Sequence, residues 1–303
     1  MNIALQVHVD TYRGTVEGVP ALLALFRQYG VQATFLFSLG PDHTGRALRR
    51  IFRPGFFAKV QRTSVTKHYG YKTLMYGVFL PGPHIARKAG HILRAVRDAG
   101  HEVGVHCYDH VRWQDFVYGK DEAWTCREMD RAMAAFNMAL GQPPSTLGAA
   151  GWQLNPFVLR HEEKLGFRYA SDTRGEKPFW PEMGGIRSRC LQIPTTLPTL
   201  DELIGCDGIT EDNVAHAVFK ASQSASPYGH VYTLHAELEG QKLLPVMQEL
   251  LERWQRNGDE LVSLKGYFDA LPLDQLPVKS VDWGEIPGRS GNLAKEGSDL
   301  AMT

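Results

Sequence analysis

Two histidines four residues apart, His106 and His110, are the strongest chemical signal in this sequence. They follow an apolar strand pattern, and an aspartate, Asp10, closes an earlier apolar run at residues 3–9. Neutral imidazole is the commonest protein ligand for a borderline metal ion, and two imidazoles with one carboxylate leave coordination positions open. The three residues therefore predict a metal centre that acidifies water and polarises a carbonyl oxygen. A chance structural pair of histidines is the alternative, but Asp10 and the late His235, which closes another predicted strand, favour the metal.

The composition limits the classes of function. The chain has 303 residues and a formal net charge of +0, which allows one large α/β core and gives no overall basic field for nucleic acid. Its four cysteines show no paired spacing. The sequence opens into a strand pattern without a signal peptide, and no apolar run is long enough to span a bilayer. We expect a cytoplasmic protein with reduced thiols, peripheral to the inner membrane.

The charged residues are distributed unevenly. No aspartate or glutamate occurs from residue 43 to residue 97, where arginines and lysines alternate with large apolar side chains such as Phe56, Phe57 and Tyr71. This composition is typical of an element that lies on an anionic membrane surface. We therefore interpret residues 43–97 as a basic, apolar insert. A long barrel loop with a solvated basic rim is the alternative, and a nucleic-acid surface is a weaker one.

Strand and helix patterns alternate along the chain, which favours a parallel sheet with its chemistry at the carboxyl ends of the strands. Strands are predicted at 3–9, 32–39, 102–105, 167–170, 190–193, 230–234 and 260–263, and helices at 19–28, 85–99, 120–140, 155–164 and 242–256. Asp10, His106, Asp172 and His235 all lie just past predicted strand ends. From residue 273 the composition turns to proline, glycine and polar residues, so we expect a domain of residues 1–272 and an irregular tail over 273–303.

Several short motifs, in order along the chain, resemble the NodB-type polysaccharide deacetylases. They are Val9-Asp10-Thr11-Tyr12-Arg13-Gly14-Thr15, Phe37-Ser38-Leu39-Gly40-Pro41-Asp42, His101 through His110, Ala149-Ala150-Gly151-Trp152, Ser171-Asp172-Thr173-Arg174-Gly175, Ile193-Pro194-Thr195-Thr196, and Tyr232-Thr233-Leu234-His235-Ala236-Glu237. The resemblance covers nearly all of residues 1–272. It implies a deformed (β/α)7 barrel of the α/β class and metal-assisted hydrolysis of an N-acyl group.

The resemblance also implies roles for individual residues. Asp10, His106 and His110 fall on the metal ligands, with zinc the expected ion and manganese or cobalt as substitutes. His235 falls on the acid that protonates the leaving amine, with Asp172 or Glu237 as its expected orienting carboxylate.

Three further residues, Arg13, Trp152 and Arg174, are expected to bind substrate. Asp172 falls near a carboxylate that supports the active site. Arg174 would then bind a phosphate or hold Asp172, and a purely structural ion pair between these two side chains is the alternative.

Two positions depart from the family pattern. Relatives carry Asp-x-Asp where this chain has His8-Val9-Asp10, and the first aspartate is their general base. His8 is therefore a candidate base, a candidate fourth metal ligand, or the mark of a changed or lost activity. Gln153 follows a Gly-Trp pair after which close relatives carry arginine.

The sequence leads to the hypothesis of a metal-dependent amide hydrolase that removes an N-formyl or N-acetyl group from an amino sugar. The resemblance implies 4-deoxy-4-formamido-L-arabinose on undecaprenyl phosphate as the substrate, in the lipid A modification of lipopolysaccharide that confers antibiotic resistance. The alternatives are a deacetylase of a soluble or cell-wall amino sugar, and a non-catalytic descendant that binds a metal or a sugar.

Overall fold

The computed structural model describes residues 1–47 and 71–301. The strands are β1 (Asn2–Val9), β2 (Thr34–Ser38), β3 (Glu102–Cys107), β4 (Tyr169–Ala170), β5 (Trp180–Met183), β6 (Ile186–Arg187), β7 (Leu191–Gln192), β8 (His230–His235), β9 (Glu260–Val262), β10 (Val278–Glu285) and β11 (Asn292–Leu300). The α-helices are α1 (Val19–Tyr29), α2 (Tyr71–Met75), α3 (Ile85–Asp98), α4 (His110–Phe116), α5 (Glu122–Leu140), α6 (Pro156–Leu165), α7 (Leu200–Leu203), α8 (Val214–Ser222), α9 (Leu244–Arg256) and α10 (Leu264–Asp269).

The parallel strands form a closed ring. β1 pairs with β8 and with β2, β3 lies beyond β2, and β9 pairs with the amino half of β1. Leu147 bridges Val105 of β3 to Ala170 of β4, and β7 lies beside β4. The amide of Thr196, just after β7, donates to the carbonyl of Val231 in β8 and closes the ring. The predicted α/β barrel is confirmed.

The chemistry of each segment explains these elements. β1 is buried from Ile3 to Val9, as expected of a parallel strand that is covered on both faces. Helix α5 begins at Asp121, whose side chain accepts a hydrogen bond from the amide of Trp124, and ends at Gly141 in the left-handed conformation. All strands and helices predicted from the sequence are present, with ends within about three residues.

The predicted irregular tail is wrong. β10 and β11 pair antiparallel, β10 also pairs with β5, and β5 pairs with β6, so the four strands form a second sheet. A bulge between Lys279 and Val281 interrupts the alternation of buried and exposed positions, which hides the strand from a period-two pattern. Lys279 is itself buried and pairs with Glu296 at 2.9 Å. Glu296 on the neighbouring strand neutralises the buried charge of Lys279. Because charged residues stand at buried positions, the strand looks polar in sequence.

The basic, apolar segment 43–97 is not one insert. Residues 85–98 form α3, an amphipathic helix that packs on β3 and α5 and belongs to the barrel. Residues 48–70, including Phe56 and Phe57, lie outside the described residues. In the part of the chain that the structure describes, every helix is too short or too polar to cross a membrane.

Candidate active site

Asp10, His106 and His110 meet at the carboxyl end of the barrel. Asp10 follows β1, His106 lies near the end of β3, and His110 is the first residue of α4. The Nε2 atom of His106 lies 3.3 Å from Oδ1 of Asp10, and the Nε2 atom of His110 lies 3.4 Å from Oδ2. The structure thus brings together all three predicted metal residues, with the carboxylate between the two imidazoles.

The polar atoms in this cluster fit a cation. His106 Nδ1 lies 2.6 Å from the carbonyl oxygen of Gly148, which can only accept, so the ring proton is on Nδ1 and the lone pair of Nε2 faces Asp10. In the described residues, Asp10 Oδ1 and His106 Nε2 are buried without a hydrogen-bond partner. Two ligand atoms each ~2.1 Å from one ion at a tetrahedral angle lie about 3.4 Å apart, close to the observed spacings.

The charges of the site act on Asp10 in opposite directions. Burial opposes ionisation of Asp10, but the imidazoles of His110 and His106 outweigh it and hold the pKa of Asp10 well below its usual range. Asp10 is therefore a carboxylate at neutral pH, which is the form that binds metal.

His8 belongs to the same cluster. One nitrogen of His8, one oxygen of Asp10 and one nitrogen of His106 all lie within 4.8 Å of one another. The rings of His8 and His106 have their centroids 4.2 Å apart. Burial, followed by His106 and His235, lowers the pKa of His8 well below its ordinary value, so the ring is neutral at pH 7. A neutral imidazole suits both predicted roles, base and ligand.

A buried glutamine controls which nitrogen of His8 carries the proton. The amide nitrogen Nε2 of Gln6 lies 2.6 Å from His8 Nε2 and can only donate there, and the amide oxygen has no partner among the described residues. An amide NH₂ at this contact would leave the proton on Nδ1, whereas an amide oxygen there would hold the proton on Nε2 and leave Nδ1 as the acceptor. Only the second arrangement frees Nδ1 to act as a base or a ligand.

His235 faces this cluster from the neighbouring strand. It pairs in register with His8 across β1 and β8, is 8% exposed, and has a buried Nδ1 without a partner in the described residues. Burial lowers the pKa of His235, and the negative charges of Asp201 and Asp10 oppose that shift. The site therefore places a titratable nitrogen opposite the metal cluster.

The carboxylate expected to orient His235 was wrongly chosen. Glu237 accepts from the amides of Asp10 and Thr11 and from the Thr11 hydroxyl, and so fixes the end of β1. Asp172 accepts from the Ala149 amide and from Gln192. Among the described residues, neither carboxylate forms a hydrogen bond with the His235 ring. The negative charges that act on His235 are those of Asp201 and Asp10.

Trp152 forms one wall of the site. Its ring centroid lies 5.5 Å from that of His8, and its backbone has a φ of 52°, which is a strained conformation for a residue with a side chain. The guanidinium groups of Arg174 and Arg289 lie 5.0 and 4.7 Å from its ring centroid. Such contacts fix the indole plane beside His8.

The structure corrects the alternatives given for Arg174. Its guanidinium pairs with Glu202 and donates to the carbonyls of Thr195 and Leu197, so it neither holds Asp172 nor forms an ion pair with it. Arg174 is 5% exposed, which favours a positioning role over direct contact with a phosphate. Arg13 lies at the surface and pairs with Glu17 at 2.8 Å, so substrate contact by Arg13 stays a prediction.

Arg289 is the site residue that the sequence did not reveal. It lies in the turn between β10 and β11 and reaches back to Glu202 at 2.8 Å and Asp201 at 3.1 Å. Gly288 is required beside it, because a Cβ there would lie 2.2 Å from the Glu202 carbonyl oxygen, and its φ is 79°. In the sequence, Arg289 appears only in a lone Gly-Arg pair within a polar stretch, and this pattern does not indicate a site residue.

Comparisons with known proteins agree with this geometry. The sequence model described as polysaccharide deacetylase matches residues 9–170, which include Asp10, His106 and His110. The chain belongs to the polysaccharide deacetylase family. Asp172, His235 and Arg289 lie beyond the matched region.

Two relatives extend the likeness over nearly the whole chain. Both carry the name "probable 4-deoxy-4-formamido-L-arabinose-phosphoundecaprenol deformylase". The protein of Shewanella sediminis is 37% identical over 98% of this chain and 95% of its own. The protein of Wigglesworthia glossinidia brevipalpis is 31% identical over 93% of this chain and 97% of its own.

Among solved structures, a protein named as a polysaccharide deacetylase of Mycobacterium smegmatis superposes with a TM-score of 0.61. It is 16% identical, and the match covers 94% of each chain. At this identity the likeness supports the fold alone, and the fold is that of the family.

Proposed function

We propose that this protein is a metal-dependent deformylase that hydrolyses the formamide of 4-deoxy-4-formamido-L-arabinose carried on undecaprenyl phosphate. The observation that carries the proposal is Asp10, ionised and placed between His106 and His110. Among the described residues, Asp10 Oδ1 and His106 Nε2 are buried without a hydrogen-bond donor. The substrate follows from the names of the two relatives that match nearly the whole chain. The products are formate and the free 4-amino sugar.

Three side chains would hold the metal. Asp10, His106 and His110 offer one oxygen and two nitrogens, a set that suits zinc and that manganese or cobalt also accept. When bound, the ion supplies Lewis acidity towards the formyl oxygen and acidity to water at the site. The hydrogen bond from His106 Nδ1 to Gly148 fixes the tautomer that this ligand needs.

The chain's own residues provide the proton transfers. His8, buried and neutral, takes the proton of the water that attacks the formyl carbon. Nδ1 is the accepting atom when the Gln6 amide is turned so that its oxygen faces His8 Nε2. His235, on the adjacent strand, gives a proton to the sugar nitrogen as the carbon–nitrogen bond breaks. Trp152 excludes water from the side of His8, and Asp172 holds the backbone next to Gly148.

The lipid part of the substrate implies contact with the cytoplasmic face of the inner membrane. In the described residues of the acid-free segment, Tyr71 is 81% exposed and Phe79 is 79% exposed, close in sequence to Lys72. Exposed aromatic residues beside basic ones suit an anionic bilayer surface. We include peripheral attachment through residues 43–84 in the proposal.

A second candidate rests on His8. Its position within the cluster also fits a fourth metal ligand, which would occupy the place of water and leave a protein that binds a metal or sugar without hydrolysis. A deacetylase of a soluble or cell-wall amino sugar shares all of the other geometry.

An assay of formate and acetate release separates these functions. Zinc-loaded protein is given the formamido sugar on a polyprenyl phosphate, its acetamido analogue, and a soluble N-acetylated amino sugar. We expect turnover of the first substrate, and its loss after chelation or in Asp10→Asn. Turnover of only the soluble sugar would support the cell-wall alternative. Absence of turnover with zinc fully bound would support the non-catalytic one.

A further inference from the structure

We propose that Glu162 is a proton-holding positioning residue: as a neutral acid it donates to the carboxylate of Asp172, which fixes the 148–149 backbone that orients His106. The inference rests on the metal site proposed above but adds a group that does not touch it. Three contacts and the peptide bond between Gly148 and Ala149 link Glu162 to the imidazole.

The first contact joins two buried carboxyl groups. Glu162 on α6 and Asp172 after β4 are both 0% exposed, and their side chains lie within hydrogen-bonding reach of each other. Asp172 accepts from the Ala149 amide and the Gln192 amide group, each at 2.7 Å. In the described residues, neither oxygen of Glu162 has an N–H or O–H donor, and only the weakly donating thiol of Cys190 lies beside it.

The unequal hydrogen bonding of the two carboxyl groups decides which of them carries the proton. Two adjacent buried carboxyl groups cannot both be ionised, so one proton is shared between them. Asp172 has two strong donors that stabilise its charge, whereas Glu162 has none. Burial and the charge of Asp172 raise the pKa of Glu162 well above its ordinary value. Burial also raises the pKa of Asp172, but hydrogen bonds from Glu162, Gln192 and Ala149 oppose that rise.

The remaining contacts lead to the metal residue. Asp172 holds the amide of Ala149, and the preceding residue, Gly148, accepts from His106 Nδ1 at 2.6 Å. Gly148 leaves no room for a side chain, because a Cβ there would lie 2.4 Å from Leu36 Cδ1. Partners that orient a metal-bound imidazole affect metal affinity as well as shape. Glu162 therefore acts on His106 through Asp172.

The surroundings of Glu162 contain few other titratable groups. Cys190 faces it from the loop before β7, and burial, together with Glu162 and Asp172, raises the pKa of that thiol well above its usual range. The charge of His106 acts on Asp172 rather than on Glu162. On α6 itself, Glu163 lies next to Glu162 but is oriented towards Arg189 at the surface. Glu163 therefore provides a matched control.

The first test compares the unfolding equilibrium of the full chain, without metal, across pH 5–9 for the wild type, Glu162→Gln and Glu163→Gln. A neutral amide still donates to Asp172 but binds no proton. The folded wild type holds a proton that the unfolded chain releases above pH ~4.5, so its stability relative to Glu162→Gln should fall as pH rises. We expect a change of about tenfold per pH unit in the ratio of the two unfolding constants until Glu162 itself ionises. Glu163→Gln should follow the wild type.

The second test measures zinc affinity at pH 7 by competition with a chromophoric chelator. Glu162→Met removes the donor, and we expect weaker zinc binding by about 10–100-fold. Glu162→Gln should bind within about twofold of the wild type, since it restores the hydrogen bond. A folded Glu162→Met variant with unchanged affinity would overturn the link to His106.

Parallel pH curves for the wild type and Glu162→Gln would overturn the shared proton, because an ordinary ionised Glu162 gives no such slope. This outcome is independent of enzymatic activity. If the protein bound no zinc at all, the proposed function would fail while the pH result would still decide the state of Glu162.

Discussion

His8 and His235 lie in register on adjacent strands, and their rings meet edge to face with centroids 5.5 Å apart. One ring belongs to the candidate metal cluster, and the other faces it with an Nδ1 that has no hydrogen-bond partner among the described residues. This relationship puts two titratable nitrogens on either side of the space above the end of β1. It allows a proton to be taken at one imidazole and given at the other within a single site.

Replacement of His235 by alanine should lower turnover by about 10²–10⁴-fold, the usual range for a general acid. Zinc content should stay the same, because His235 is not one of the three proposed ligands, Asp10, His106 and His110. Formate release and metal analysis measure the two quantities. His230→Gln, at the other end of β8, is the control and should keep its activity. Loss of zinc from His235→Ala would make His235 a ligand instead.

Replacement of His8 distinguishes a base from a ligand. If His8 takes the proton of water, His8→Ala should lose about 10²–10⁴-fold in turnover with zinc still bound, and His8→Asp, which restores the family residue, should recover most of it. Gln6→Leu should reduce activity less, because it removes only the contact that selects the tautomer. Zinc binding that weakens in His8→Ala, together with faster turnover, would instead indicate a fourth ligand.

Arg289 should stabilise the site from the C-terminal hairpin. Arg289→Met leaves Asp201 and the buried Glu202 short of a partner and uncovers one face of Trp152. We expect a loss of about 2–4 kcal/mol in the free energy of unfolding, measured in urea. Arg256→Met removes an exposed pair on α9 and should cost under ~1 kcal/mol. Equal small losses in both variants would show that the hairpin contact contributes little.

Stability should also decline with rising pH through Glu239. Burial raises the pKa of Glu239 from 4.5 to about 8, against hydrogen bonds from the His235 amide and Tyr232. Because the folded state keeps a proton that the unfolded chain has released, stability falls between these two pH values, by at most ~1.4 kcal/mol per pH unit. Urea unfolding of Glu239→Gln should lack this part of the slope. An identical pH dependence in both proteins would contradict the raised pKa.

Attachment to membranes should depend on the acid-free segment. The wild type should bind anionic liposomes at low salt, with each nearby lysine or arginine adding about 1 kcal/mol. Phe56→Ser with Phe57→Ser should weaken this binding in a sedimentation assay while zinc stays bound. Met138→Ser with Leu165→Ser, which changes exposed apolar residues on α5 and α6, is the control. If the wild-type protein did not bind liposomes, a soluble amino sugar would be the better-supported substrate.

Much of the barrel could be predicted from the sequence because its strands are covered on both faces. A run such as 3–9 is apolar on both sides, so the pattern survives whatever its neighbours are. The helices carry caps and glycine stops that are local in the chain, as at Asp121 and Gly141. The hairpin of β10 and β11 escaped prediction because a bulge and a buried Lys279 gave it a polar, aperiodic pattern.

The candidate metal ligands could be predicted without a structure, since Asp10, His106 and His110 each follow a strong strand or begin a helix, and the carboxyl ends of parallel strands meet at one edge. The partners of the side chains around this site could be read only from the packed fold. Arg174 pairs with Glu202, Arg289 arrives from a distant turn, and Glu162 lies against Asp172. Such pairings depend on the packing of segments far apart in the chain, and a single sequence carries no local pattern for that distance.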